Sequence, residues 1–294
     1  MALRPDLLGA RAEPVEFFWG PDDVMLYALA VGAGQADPLA DLEFTTENLE
    51  GSDGPRVLPG FANIVTRGAR VDAGGDDPRV LHAEQAFRVH AALPSSGRAR
   101  VTGSVVGVED KRSGVLVRTR AEAVDAGTGA LLAETLQTVM IRGETAGSSR
   151  TRGTLGSQER PDPPLAPAVV TPPGPIPERE PDRRVVMPVR SDQALLFRLT
   201  GDRNPLHTDP AFARRAGFER PILHGMCTYG FAARTLGTIA GDPGKLVAMH
   251  ARFTRPVLPG DELEVAVWDG EGGTHFRTTR DDEPVLDQGW AEFG

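Results

Sequence analysis

The stretch FRLTGDRNPLHTDP, residues 197–210, contains two signals that interrupt a helix, Gly201 and Asn204-Pro205. Its first residues are compatible with a helix that ends at Gly201, since glycine is common just past a helix C-terminus. Asn204-Pro205 indicates a turn, because the residue before proline avoids the α region. Thr208 or Asp209 can then cap a second helix. The stretch therefore predicts a loop held between two short helices.

Asp202 and His207 lie on this predicted loop, close enough in sequence to converge on one small ligand. A carboxylate and an imidazole held together can orient a water molecule and move protons near neutral pH. Each residue also has an ordinary structural interpretation, as a turn aspartate or as a histidine that only packs and hydrogen-bonds. Spacing alone leaves both interpretations open.

A second informative stretch is PILHGMCTYGFAARTL, residues 221–236, which predicts a long helix of small residues that ends near Ala240. A glycine at the helix N-terminus, Gly225, has a free N–H and no side chain to block approach. Such a site suits a carbonyl oxygen that becomes negative. The helix glycines could equally serve close packing against a sheet, and the two interpretations are compatible.

Outside these two stretches, the sequence divides into two domains near the middle of the chain. Nine prolines lie between Pro161 and Asp182, and such a segment sustains neither a helix nor a central strand. We therefore predict an N-terminal domain at 1–143, a linker at 144–184 and a C-terminal domain at 185–294. Both flanks run from an apolar helical segment to β-type segments, which indicates a duplicated α+β unit.

Composition and charge exclude several classes of protein. The formal net charge of −9 at pH 7 argues against a general nucleic-acid binder, whose binding surface is basic. The single cysteine, Cys227, rules out an internal disulfide and fits a reducing compartment. No apolar run reaches the roughly 18 residues of a membrane-spanning helix, and no N-terminal signal segment is evident. We expect a cytoplasmic protein with neither a nucleic-acid nor a membrane partner.

The first stretch resembles the signature of the MaoC-like, R-specific enoyl-CoA hydratase family, also called enoyl-CoA hydratase 2. Its gapless matches to that signature are Phe197, Leu199, Thr200, Gly201, Asp202, Asn204, Pro205, Leu206, His207 and Ala213. His-Gly-Met at 224–226 also falls where the family has it.

The first half resembles the degenerate N-terminal half of two-domain members of that family. The matching segments are 23–29, 32–34, 58–59 and 81–85. Two departures are Ala83, where the family usually has glycine, and Gly60, where it usually has threonine. At the places of Asp202 and His207 the first half has Ala33 and Pro38, so the resemblance implies that this half has lost catalysis and shapes the acyl pocket.

The resemblance implies a tandem, or double, hot-dog fold, in which each half wraps an antiparallel sheet around a long central helix. The implied reaction is the reversible syn hydration of a trans-2-enoyl-CoA to a (3R)-3-hydroxyacyl-CoA, with long or bulky acyl groups. Asp202 and His207 would hold the water and move its protons, and the sequence does not say which is the base. Gly225 would bind the thioester oxygen, and Asn204 would orient the loop.

We expect no metal or cofactor, because the sequence has neither a metal-ligand cluster nor a phosphate-binding glycine loop; coenzyme A is part of the substrate. We expect His224 to orient the loop and Cys227 to act as a small core residue. Members of the family usually pair as dimers, so the resemblance implies a homodimer. Candidates for binding the CoA phosphates, each equally well explained as solvated charge, are Arg203, Arg214, Arg215, Lys245, Arg252 and Arg255.

Two alternatives remain open from the sequence. A hot-dog thioesterase would hydrolyse the same thioester and release free CoA, and the complete hydratase signature argues against it. A non-catalytic acyl-CoA binding protein would bind without turnover, and the intact Asp202, His207 and Gly225 argue against that.

Overall fold

A computed structural model describes residues 7–69, 71, 79–143 and 169–294. Most of the predicted linker, from 144 to 168, lies outside the described residues. In the part that is described, ten strands form one sheet in which every pairing is antiparallel. Helices pack on this sheet, so the α+β class predicted from the sequence is confirmed.

The first half contributes five strands and three short helices. Its strands are β1 (Val15–Trp19), β2 (Val80–Val89), β3 (Gly97–Lys111), β4 (Gly114–Asp125) and β5 (Leu131–Arg142). Its helices are α1 (Pro21–Ala30), α2 (Leu42–Thr45) and α3 (Ala62–Val65). The turn from β4 to β5 is held by Asp125 Oδ1, which accepts hydrogen bonds from the backbone N–H groups of Gly127 and Thr128.

The second half repeats this content. Its strands are β6 (Arg183–Pro188), β7 (Leu246–Phe253), β8 (Glu262–Gly270), β9 (Gly273–Arg280) and β10 (Glu283–Phe293). Its helices are α4 (Gln193–Phe197), α5 (Pro210–Arg215) and α6 (Gly225–Ile239). Within the described ranges, no helix combines the length and apolar character needed to cross a bilayer.

Strand order shows the duplication directly. The order across the sheet is β1-β3-β4-β5-β2-β7-β10-β9-β8-β6, so each half adds equivalent strands outward from the centre. At the centre, β2 pairs antiparallel with β7, with Glu84 opposite Arg252 and Arg88 opposite Ala248. The two halves therefore form one continuous sheet around an approximate two-fold axis between β2 and β7.

Helix α6 lies in the core of the second half, and it ends within a residue of the predicted position. Its glycines allow close packing on both sides. A methyl group on Gly230 would overlap Val31 of the first half, and one on Gly237 would lie 2.5 Å from Pro243 Cα. The packing interpretation of these two glycines is therefore supported by the structure.

The equivalent segment of the first half, just before β2, is interrupted rather than one long helix. It runs as a 3₁₀ turn at Pro59–Phe61, the short α3 and a second 3₁₀ turn at Thr66–Gly68. Proline and glycine are poor helix formers, which explains the interruption. The segment stays buried, with the Phe61 ring packed edge-on against the ring of Tyr27 at 5.7 Å.

We predict that Gly237→Ala destabilises the protein by about 1–3 kcal/mol, because the added methyl group meets backbone atoms that cannot rotate away. Urea unfolding monitored by tryptophan fluorescence measures the loss. Gly174→Ala is the matched control, since no atom lies within 4 Å of its added Cβ. Equal stability of the two variants would contradict the packing argument.

Candidate active site

Local signals position the loop between α4 and α5. Gly201 follows the 3₁₀ turn after α4 in the left-handed region, with φ 112°. Asn204 Oδ1 accepts a 2.9 Å hydrogen bond from the N–H two residues on. Asp209 Oδ1 accepts one of 2.7 Å at the start of α5. The predicted loop is confirmed, and Asp209 rather than Thr208 is the helix cap.

Three side chains converge where this loop meets the start of α6. One carboxylate oxygen of Asp202 and one ring nitrogen each of His207 and His224 lie within 4.8 Å of one another. The two imidazole rings are tilted face to face, with centroids 3.8 Å apart. The structure thus brings together the two residues that the sequence predicts as an acid–base pair and adds a third titratable group to them.

The His207 ring has a defined tautomer. Its Nδ1 lies 3.0 Å from the carbonyl oxygen of Ile222, which can only accept, so Nδ1 carries the proton. Burial lowers the pKa of His207, against the opposing effects of this hydrogen bond and of Asp202. The ring is therefore neutral near pH 7, and Nε2 holds a lone pair that can take a proton.

The His224 ring holds the loop from the other side. Its Nε2 lies 3.3 Å from the backbone oxygen of Asp202, to which it donates. Its Nδ1 is buried without a hydrogen-bond partner among the described residues. Burial, followed by the nearby charge of His207, lowers the pKa of His224 to about 3. His224 is therefore a neutral donor that fixes the Asp202 backbone, as expected for a loop-orienting residue.

The Asp202 carboxyl lies in a positive environment. Burial raises its pKa, but the charge of Arg67 and the two neighbouring histidines outweigh this, and the pKa lies below its ordinary value. Arg67 belongs to the first half, and its guanidinium donates to the carbonyl oxygen of Thr200 at 3.2 Å. The sequence reasoning missed Arg67, because no local motif links it to a loop more than a hundred residues away.

Helix α6 begins beside the cluster formed by Asp202, His207 and His224. Gly225 is the first residue of this helix and follows His224 directly. The first N–H groups of a helix have no carbonyl partner within it, and the helix dipole is positive there. A methyl group on Gly225 would lie 3.2 Å from Phe253 Cε1, so this glycine lets the start of the helix pack closely against the Phe253 ring. The start of α6 therefore lies beside the Asp202–His207 pair.

The candidate phosphate-binding residues are distributed unevenly around this site. Arg203 adjoins Asp202, and Arg214 and Arg215 lie on α5, at the end of the same loop. Lys245 follows the opposite end of α6, about 22 Å away along a 15-residue helix. Arg255 is paired with Glu283 at 3.1 Å. Three of the six candidates therefore lie on or beside the loop that carries Asp202.

Comparisons with known proteins agree with this geometry. Residues 173–285 match the MaoC like domain family, and residues 17–143 match the MFE-2 hydratase 2 N-terminal domain family. The chain is 42% identical to 3-hydroxyacyl-thioester dehydratase Y of Mycobacterium tuberculosis, over 100% of this chain and 99% of that protein. It is 38% identical to enoyl-CoA hydratase ChsH3 of the same organism, over 95% and 94%.

A solved structure shows the same architecture. The full-length peroxisomal multifunctional enzyme type 2 from Drosophila melanogaster superposes with a TM-score of 0.76 at 30% identity, over 97% of this chain. The chain spans 48%, about half, of that longer enzyme.

Two duplicated halves in one sheet, with an Asp–His pair beside the helix of the second, define a double hot-dog protein of the dehydratase class. The chain belongs to the MaoC-like dehydratase family and has the two-domain organisation of enoyl-CoA hydratase 2. The family resemblance predicted from the sequence is thereby confirmed.

We predict that Arg67→Met raises the pKa of Asp202, because it removes the charge that most strongly favours the ionised carboxylate. An NMR titration of the Asp202 carboxyl measures the shift, with the signal assigned by its loss in Asp202→Asn. Arg67→Lys keeps the positive charge and should shift the pKa less. An unchanged pKa in Arg67→Met would show that the first half does not control this carboxyl.

Proposed function

We propose that this chain is a hydro-lyase that catalyses the reversible syn hydration of a trans-2-enoyl-CoA to a (3R)-3-hydroxyacyl-CoA. The observation that carries the proposal is the convergence of Asp202, His207 and His224 directly before the first residue of α6. The names of the two similar mycobacterial proteins, a 3-hydroxyacyl-thioester dehydratase and an enoyl-CoA hydratase, support it. We infer a role in fatty-acid or steroid side-chain metabolism.

His207 is the proton carrier in this mechanism. Its Nδ1–H is held by the Ile222 carbonyl, so Nε2 faces the reaction. Nε2 takes a proton from a bound water while the water oxygen forms its bond to C3. The electron pair of the C2–C3 double bond moves toward C2 and the thioester oxygen. His207 then returns the proton to C2, so that one water has been added.

Asp202 orients the water and stabilises the imidazolium. Its lowered pKa keeps the carboxylate ionised near neutral pH, where it can only accept hydrogen bonds. It accepts the hydrogen that His207 does not take, and its negative charge favours the protonated ring. Both groups act from one loop, so the hydroxyl and the proton reach the same face of the double bond. Syn addition follows from that arrangement.

The start of α6 stabilises the developing enolate. In this proposal the Gly225 N–H donates to the thioester oxygen, whose negative charge grows as C3 is attacked. The positive end of the helix dipole lies on the same side. Asn204 caps the turn that carries His207 and donates its own backbone N–H to Asp202 Oδ1 at 3.3 Å, so it maintains the loop rather than reacting.

We propose that the first half shapes the acyl pocket and performs no proton transfer. Gly32 follows α1 in the left-handed region, φ 85°, as Gly201 follows α4. The residues after it, Ala33 and Pro38, have no side chain that can exchange a proton. Room for long or bulky acyl groups remains a prediction.

A cytoplasmic homodimer remains our proposal for the state of the protein. Exposed leucines on two contacting helices, Leu29 of α1 and Leu195 of α4, support it as apolar surface that a second copy could cover. Light scattering of the purified protein measures the mass, and a monomer at micromolar concentration would contradict the dimer.

The proposed reaction uses no metal, as the sequence predicts. Asp202, His207 and His224 nevertheless lie close enough to bridge an ion. Elemental analysis together with hydration assays after chelation tests this point. Full activity after chelation is the expected result; a bound ion whose removal abolishes activity would overturn it.

We predict that Asp202→Asn and His207→Ala each lower kcat by about 10²–10⁴-fold, the usual contribution of a general acid–base group. Loss of the conjugated thioester absorbance of crotonyl-CoA measures the rate, and circular dichroism checks the fold. Asp192→Asn is the control, because this exposed carboxylate pairs only with Arg190 among the described residues. A folded Asp202 or His207 variant that keeps more than about a tenth of the activity contradicts the assignment. Release of free CoA would identify a thioesterase instead.

A further inference from the structure

A cavity of about 50 Å³ opens beside the candidate active site, between the two halves. On the side of the second half it is lined by Phe197 and Met226. Phe197 packs on the His224 ring, with centroids 5.1 Å apart, and Met226 follows Gly225. An acyl chain whose thioester oxygen is held at Gly225 would therefore extend into this cavity.

The wall contributed by the first half is polar. Gln85, Gln137 and Thr119 line it from three adjacent strands, β2, β5 and β4. They are direct cross-strand neighbours, since Gln137 lies opposite Gln85 on one side and opposite Thr119 on the other. Pockets for hydrocarbon chains are lined mainly by apolar and aromatic side chains. The row formed by Gln85, Gln137 and Thr119 is therefore poorly suited to contact with an unsubstituted alkyl chain.

Part of this wall is internally hydrogen-bonded and therefore rigid. Gln85 Nε2 donates to Asn63 Oδ1 at 2.8 Å, and both side chains are buried. Thr135 donates to Thr66 Oγ1 at 3.0 Å, and Thr66 donates in turn to a backbone carbonyl. These bonds fix the shape of the cavity, and they leave other polar groups of the lining to interact with a ligand.

Two hydroxyl groups of the lining have hydrogen-bonding capacity left over. Tyr27 is only 3% exposed and borders both this cavity and a smaller one lined by Gly60 and Gly230. Its Oη makes no hydrogen bond to any residue that the structure describes. Thr119 Oγ1 likewise has no partner within the described ranges. Burial raises the pKa of the Tyr27 phenol, so it remains a protonated donor. A methyl group on Gly60 would overlap Oη, so the glycine in place of the family's usual threonine leaves room for this hydroxyl.

We infer that the acyl group of the substrate carries a hydroxyl or keto oxygen, which enters this cavity and accepts a hydrogen bond from Tyr27 Oη. The inference rests on the proposed hydratase function and names the substrate class of the same site. An alkyl chain would displace water from Tyr27 and Thr119 and leave their hydroxyls unpaired, whereas an oxygen restores a partner. Sites built to hydrogen-bond a substrate reject the analogue that lacks the polar group.

The test compares substrates of one length. The wild-type chain is assayed with trans-2-octenoyl-CoA and with analogues that carry a keto or hydroxyl group at each carbon beyond C4. We expect kcat/KM for at least one oxygenated analogue to exceed that of the plain chain by about 10-fold or more. Tyr27→Phe and Thr119→Val should each reduce this ratio, which is taken within each variant and so is independent of any general loss of activity.

The chain offers a matched control for the phenol. Tyr229 is the second tyrosine, is fully buried and donates to the Met249 carbonyl at 2.8 Å, away from the cavity lining. Tyr229→Phe removes the same atom type and should leave the ratio unchanged. A ratio that persists in both Tyr27→Phe and Thr119→Val would overturn the inference.

Crotonyl-CoA, whose acyl group ends at C4 and carries no further oxygen, separates the two proposals. Hydration of crotonyl-CoA without any preference for an oxygenated octenoyl chain overturns the inference and leaves the hydratase function intact. Failure to hydrate every thioester overturns both.

Discussion

The pairing of β2 with β7 is the contact on which the rest of the structure depends. It joins two five-stranded units into one sheet, with Gln85 opposite Ala251 near its middle. Because the equivalent strands of the two halves meet there, the interrupted helical segment of the first half faces α6 of the second. Arg67 and Tyr27 thereby reach the neighbourhood of a loop that is distant in sequence. Without this junction, the second half would lack both the Arg67 charge near Asp202 and the polar wall of the cavity.

The two duplicated halves have different roles: the second holds the candidate catalytic residues and the first contributes to the cavity. The second half keeps the continuous helix α6, whose N-terminal N–H groups lie beside Asp202 and His207. The first half has Ala33 and Pro38 at the matching places and an interrupted helix, but it holds a cation near Asp202 and forms the polar wall of the cavity. Catalytic groups and substrate-shaping groups thus come from two copies of one unit.

Local signals were enough to predict the loop and α6. Gly201, Asn204-Pro205 and Asp209 act within a few residues of themselves, so their effects can be read from the sequence. Contacts between distant segments could not be predicted this way. The 3.2 Å bond from Arg67 to Thr200 crosses between the two halves, and the donation from His224 to the Asp202 carbonyl joins segments 22 residues apart. The interruption at Pro59–Gly68 was also missed, although its proline and glycines were visible.

Hydration of crotonyl-CoA in deuterium oxide, followed by chiral and NMR analysis of the product, shows whether the Asp202–His207 pair delivers both parts of the water. We expect a (3R) alcohol with one deuteron at C2, on the face that received the hydroxyl, because Asp202 and His207 act from a single loop. A (3S) product, or addition to opposite faces, would contradict the claim that this pair delivers both parts of the water.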